Sequence, residues 1–196
     1  MSTATQSPPV SQTVWNVPNQ LTLARLALAI VLFGLLEFHQ YLIGMFVFLV
    51  AAGTDWIDGY WARKYGQVTK LGRVLDPFVD KIIICGAFIF LAAAPKSGIT
   101  AWMAVVVVGR ELLVTALRSF LEGEGADFSA VMSGKLKMVL QCTAVAVSMF
   151  ALSYQSARLP EWLAWLLPIS VWSAVALTIY SGVEYVRRAI ALTTGK

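Results

Sequence analysis

Apolar residues run through this chain in long stretches, separated by short segments that carry most of its charges, glycines and prolines. A bilayer-spanning helix takes roughly 20 predominantly apolar residues. On that measure the stretches place six helices, over 19–37, 41–63, 77–94, 99–121, 133–154 and 161–187. The breakers between them are Gly66 with Gly72, Pro95 with Gly98, Gly123 with Gly125, and Pro160. Pro18-Asn19 reads as the entry to the first helix, because proline is tolerated there and asparagine can cap free N–H groups. Residues 1–14 are rich in Ser, Thr, Gln and Pro and lack both the basic and the apolar region of a signal peptide. The organisation expected is a flexible juxtamembrane segment over 1–18 and one domain over 19–196, without internal repeats.

Composition turns this pattern into a class. Of 196 residues, 58% are hydrophobic and only 13% charged, and the mean hydropathy is +0.71. Soluble domains average about 45–50% apolar and about 25% charged. One soluble core of this size cannot hide so much apolar surface, and a disordered chain shows the opposite balance. The fold class expected is an all-α integral membrane protein with six transmembrane helices. Cys85 and Cys142 lie inside apolar runs and make no disulfide framework. A single histidine, His39, leaves no His-rich metal site.

The formal charge of +4 points first to topology and not to nucleic acid. An even number of helices puts both termini on one side. Arg25, the Arg63–Lys81 group, Arg110, Arg118, Lys135, Lys137, Arg187, Arg188 and Lys196 all fall on that side; of the basic residues only Lys96 and Arg158 fall opposite. The positive-inside rule therefore makes the termini cytoplasmic. The absence of a transit peptide points to a bacterial inner membrane.

Four carboxylates stand where apolar surroundings make them costly unless partnered. Asp55 and Asp58 close the second apolar run, and Asp76 and Asp80 open the third. Asp55, Asp58, Gly59 and Ala62 share one helical face, as do Gly72, Asp76 and Asp80. Two antiparallel neighbours would bring the four acids together, where they repel unless a cation sits among them. A donor set of carboxylate oxygens without His or Cys favours a hard ion such as Mg²⁺ or Mn²⁺, with oxygens enough for two. Small residues on the same faces let a ligand approach the backbone, and Arg63 at the rim suits a phosphate. The structural alternative is that the acids pair with Arg63, Arg73 and Lys81 while the glycines pack helices.

The stretch Asp55-Trp-Ile-Asp58-Gly59-Tyr-Trp-Ala62-Arg63, followed by Gly72, Asp76 and Asp80 at their fixed spacings, resembles the CDP-alcohol phosphotransferase motif in every position. The resemblance implies six membrane helices, a homodimer, and transfer of a phosphatidyl or similar group from a CDP-linked donor to an alcohol, releasing CMP. It implies two divalent cations, Mg²⁺ or Mn²⁺, on Asp55, Asp58, Asp76 and Asp80. Asp80 is then the candidate base, or a metal ligand only. Asp58, Gly59, Ala62, Arg63 and Gly72 would meet the cytidine diphosphate of CDP-diacylglycerol.

For the acceptor, Arg110, Glu111 and Arg118 interrupt the fourth apolar run, and Lys135 and Lys137 open the fifth. Arg110, Arg118 and Lys135 together would form a basic pocket for a phosphorylated alcohol; the alternative is interfacial snorkelling with an Arg110–Glu111 pair. The stretches Gly109–Arg118 and Gly134–Gln141, and the entry Val17–Arg25, resemble the bacterial glycerophosphate phosphatidyltransferases of that family. Ser is usual there at Gly109, Phe at Leu112 and Thr at Met138. This likeness implies sn-glycerol 3-phosphate as acceptor and adds Asn19, Thr22, Arg25, Glu111 and Lys137 as further site candidates. Inositol phosphate would need the same pocket. A cation transporter would also place acids in a membrane, but nearer its middle and with a polar path onward.

Overall fold

Six helices carry the chain in the order expected: α1 Val17–Glu37, α2 Tyr41–Tyr65, α3 Lys70–Ala93, α4 Ala101–Gly123, α5 Met132–Ser153 and α6 Glu161–Thr194. The computed structural model describes the backbone of residues 17–65, 70–123, 132–154 and 158–194. Side chains are described over 20–54, 78–121, 132, 134–154 and 158–192. Among the described residues there is no strand.

Two boundaries depart from the sequence expectation. Helix α3 starts at Lys70, seven residues before the expected 77, so its backbone is helical through Gly72 and Pro77. Gly72 is therefore not a breaker. One glycine costs a helix only about 1 kcal/mol, and proline is tolerated within membrane helices where neighbours satisfy the freed carbonyl. Helix α6 continues to Thr194, past the expected 187, and carries Pro168 within it. Its 34 residues span about 50 Å at the rise of an α-helix, longer than a hydrocarbon core of about 30 Å.

Helices α1, α4, α5 and α6 enclose the core with α2 and α3: α1 packs on α2 and α3, α5 on α2 and α6, and α4 on α3 and α6. The α2–α3 contact is the narrowest of these. The buried core runs through Leu32, Phe48, Phe88, Leu91, Val107, Met149 and Val175. Lipid tails are as apolar as these side chains, so close packing rather than exclusion of water holds such helices together. Gly86 shows how: the Phe33 ring lies where a Cβ would stand, and Phe33 stacks on Phe90 at 5.3 Å. Outward, every helix shows large apolar residues, among them Ile30, Phe46, Ile89, Val105, Val139 and Ile169. Among the described residues, three helices hold stretches long and apolar enough to cross a membrane, Gln20–Glu37, Gly134–Ser153 and Glu161–Leu192, and α2 adds the apolar Tyr41–Thr54.

Helix α1 ends in a Schellman arrangement, with Gln40 N–H donating to Leu35 O and His39 N–H to Leu36 O. His39 takes the left-handed position at φ 58° that glycine usually fills. Lys96, in the α3–α4 connection, does the same at φ 68°.

Candidate functional site

Among the described residues, two groups of charged side chains lie within the bundle. In the first, Arg25 of α1 forms an ion pair with Asp80 of α3. Arg25 is fully buried, and Asp80 remains partly open. Residues 55 positions apart meet here because α1 packs along α3. The partner of Asp80 is thus Arg25, not one of the cations near it in sequence. Thr22, one turn before Arg25 on the same face, is also buried.

The second group joins α4, α5 and α6. Glu111 is buried on α4 and takes an ion pair from Lys137 of α5. Its carboxylate also lies 3.4 Å from Arg110 Nη1. Arg110 leans the other way as well: its Nε donates to Ser181 Oγ at 3.1 Å, and its guanidinium sits 5.2 Å from the centre of the Tyr185 ring. A slot between α5 and α6 makes room for it. A Cβ on Gly182 would stand 3.3 Å from Arg110 Cγ, and one on Gly134 would stand 3.3 Å from the Tyr185 hydroxyl. Gln141 Nε2 donates to Thr178 Oγ1 at 2.9 Å, and Ser181 Oγ donates to Thr178 O at 3.1 Å. This ladder sets the rotation of α6 against α5 and so fixes Ser181 opposite Arg110.

Among the described residues the contacts around Glu111 join one carboxylate to two cations. Arg110 Nη2 and Arg118 Nε are buried with no hydrogen-bond partner among the described residues. A buried N–H without an acceptor costs about 1–3 kcal/mol, so two such groups on one helix, eight residues apart, describe a place for an anion.

Several expected site residues fall differently from one another. Arg110, Glu111 and Lys137 come together. Lys135 is exposed on α5 while Lys137 is buried, because two positions turn a helix through about 200°. The side chains of Asn19, Asp55, Asp58, Gly59, Ala62, Arg63, Gly72 and Asp76 lie outside the described residues, although the backbone at each is helical. The helices thus keep Asp55 and Asp58 three apart, and Asp76 and Asp80 four apart, on unbroken turns. That donor set of carboxylates fits hard divalent cations. Among the described residues alone, no three His, Cys, Asp or Glu residues cluster. Ser181, Gly182 and Tyr185 carry no spacing along the sequence that ties them to Arg110. Their link to Arg110 spans 71 or more positions, and the only local signal is polarity within the last apolar run.

Residues 15–180 match the family described as CDP-alcohol phosphatidyltransferase. A Bacillus subtilis protein named CDP-diacylglycerol–glycerol-3-phosphate 3-phosphatidyltransferase is 36% identical over 188 residues, covering 88% of this chain and 94% of the relative. Proteins of the same name from Pectobacterium atrosepticum and Pseudomonas fluorescens are 32% and 33% identical, each over 89% of this chain and 95% and 90% of the relative.

Proposed function

The chain belongs to the CDP-alcohol phosphatidyltransferase family, and from that premise we propose that it transfers the phosphatidyl group of CDP-diacylglycerol to sn-glycerol 3-phosphate, giving phosphatidylglycerophosphate and CMP. The observation that carries the acceptor is the buried, unpartnered Nη2 of Arg110, with the buried Nε of Arg118 two turns on. A phosphate dianion supplies the oxygens that both nitrogens lack. The names of the relatives support the same acceptor. Membership in the family sets the transporter alternative aside.

In this reading Arg110 and Arg118 bind the acceptor phosphate, Lys135 stays on the outward face of α5, and Glu111 with Lys137 holds Arg110 in its slot. Asp58, Gly59, Ala62, Arg63 and Gly72 bind the cytidine diphosphate. Two divalent cations, Mg²⁺ or Mn²⁺, would be held by Asp55, Asp58, Asp76 and Asp80 and would neutralise the pyrophosphate when bound. The acceptor hydroxyl attacks the lipid-bearing β-phosphorus in line, and the P–O bond to CMP breaks. Asp80 takes or orients the hydroxyl proton. Arg25 keeps that carboxylate pointed to one place. Fixing the acceptor phosphate turns an encounter in solution into a reaction between held partners, which offsets much of the entropic barrier. The acyl chains stay in the bilayer; the apolar groove of 550 Å³ between α3 and α4, lined by Ile89, Ala92, Ala93, Ala101 and Gly109, lies toward the end of α3 away from Asp80.

The reading includes six spans with both termini cytoplasmic, a homodimer, a domain over 19–196, and an inner-membrane enzyme whose site faces the cytoplasm. Charge placement along the sequence supports that orientation.

The test is CMP release by the purified protein with CDP-diacylglycerol and Mg²⁺, offering glycerol 3-phosphate, inositol phosphate, serine and glycerol one at a time. Release with glycerol 3-phosphate alone is expected. Release with another alcohol keeps the family and overturns the acceptor.

A further inference from the structure

Lys96 and Arg158 are the two basic residues that charge bias would not place at the end of the bundle away from the chain termini. Both line one cavity of 690 Å³, together with His39, Tyr41 and Tyr154. It is formed where the α1–α2, α3–α4 and α5–α6 connections converge. Asp80 lies thirteen residues up α3 from the Ala93 end, about 20 Å away along the helix, so this cavity is separate from the site described above.

Three features point to a ligand. First, the cations are unbalanced: no carboxylate lines the cavity, and among the described residues neither Lys96 nor Arg158 has an ion-pair partner. Second, the backbone is strained at this place. His39 and Lys96 are the two non-glycine residues with positive φ among the described residues, at 58° and 68°, and both line this cavity. At His39 that angle belongs to the helix end described above; at Lys96, within the α3–α4 connection, glycine would relieve it, and such strain collects at ligand sites. Third, the rest of the wall is apolar, from Pro95, Ala151, Leu152, Leu159 and Ala164. A free anion needs no such wall. The level is also right: Trp162 packs on Phe150 beside Tyr154, with ring centres 6.2 and 5.5 Å apart, as aromatic residues do at the headgroup layer.

We propose that this cavity binds a phospholipid, with Lys96 and Arg158 holding the headgroup phosphate and the apolar wall carrying the first part of an acyl chain. Its occupant comes from the leaflet opposite the one that supplies the reacting lipid. His39, whose Nδ1 lies 2.9 Å from the Tyr41 hydroxyl, closes the cavity on the α1–α2 side.

The experiment is native mass spectrometry of the purified full-length protein titrated with dioctanoyl phosphatidic acid, dioctanoylglycerol or inorganic phosphate. The double variant Lys96→Gly/Arg158→Gln removes both charges, and glycine accepts the backbone angle at 96 without strain. Its apparent affinity for the phosphatidic acid should fall about tenfold or more, while CMP release stays within about twofold. Ala164→Trp fills the cavity from an exposed position and should lower the affinity with both charges in place; it decides the matter if the double variant does not fold. Dioctanoylglycerol should bind far more weakly, and inorganic phosphate at equal concentration should not displace the lipid. Equal affinity in wild type and variants overturns the proposal. So does tight binding of dioctanoylglycerol, because the phosphate is then not read. Displacement by inorganic phosphate at equal concentration would replace the lipid with a free anion.

Discussion

The two charged groups in the bundle are built from the same residue types and balance differently. Arg25 and Asp80 form a pair of one cation and one carboxylate across α1 and α3. Around Glu111, one carboxylate faces Lys137 and Arg110, with Arg118 further along the same helix. A balanced pair can hold two helices together and point a carboxylate. Around Glu111 the described cations outnumber the described carboxylates, and a negative ligand would even that balance.

The largest effect should come from the balanced pair. Asp80→Asn keeps the shape of the side chain and removes its charge; CMP release should fall by roughly a thousandfold, as for loss of a general base that also serves a metal. A loss below about tenfold would leave Asp80 a structural partner of Arg25. In the unbalanced group, Glu111→Gln leaves Lys137 and Arg110 buried without their carboxylate and should cost about 3–5 kcal/mol of stability, read as a lowered Tm. Replacing both members, Glu111→Leu with Lys137→Met, should restore much of the loss. If the double change is no better than the single one, the pair does more than balance charge.

Arg110→Lys should act on binding rather than folding. A lysine cannot span Ser181, Glu111 and a phosphate at once, so the KM for glycerol 3-phosphate should rise about thirtyfold or more, with little change in the KM for CDP-diacylglycerol. Equal rises in both would place Arg110 on the donor. The smallest effect belongs to the slot. Gly182→Ala puts a Cβ 3.3 Å from Arg110 Cγ, a contact that the flexible side chain relieves by shifting a few tenths of an ångström. The acceptor KM should rise about two- to fivefold, at a cost of about 1 kcal/mol or less.

Much of this was legible along the chain because it is local. Apolar run length located all six helices to within a few residues except at the start of α3 and the end of α6. There glycine, proline and terminal charge suggested ends that a helix packed among neighbours does not need. The acids of the motif were legible as well, since i, i+3 and i, i+4 spacings state a shared face on any unbroken helix, and the backbone is helical at each. Arg110 stood out as a charge in an apolar run, whereas its partners did not.

What the sequence by itself determined is the membrane class, the six helices, the acidic motif and the family that carries it. These follow from periodicity and spacing, which act within a few turns. Only the tertiary structure decided that Arg25 reaches Asp80, that Lys137 rather than Lys135 turns inward to Glu111, that Ser181 and Tyr185 seat Arg110, and that Lys96 and Arg158 share one cavity. Each depends on the rotation and lateral placement of helices that are distant in sequence. Those are set by the packing of whole faces against one another, and no single segment encodes them.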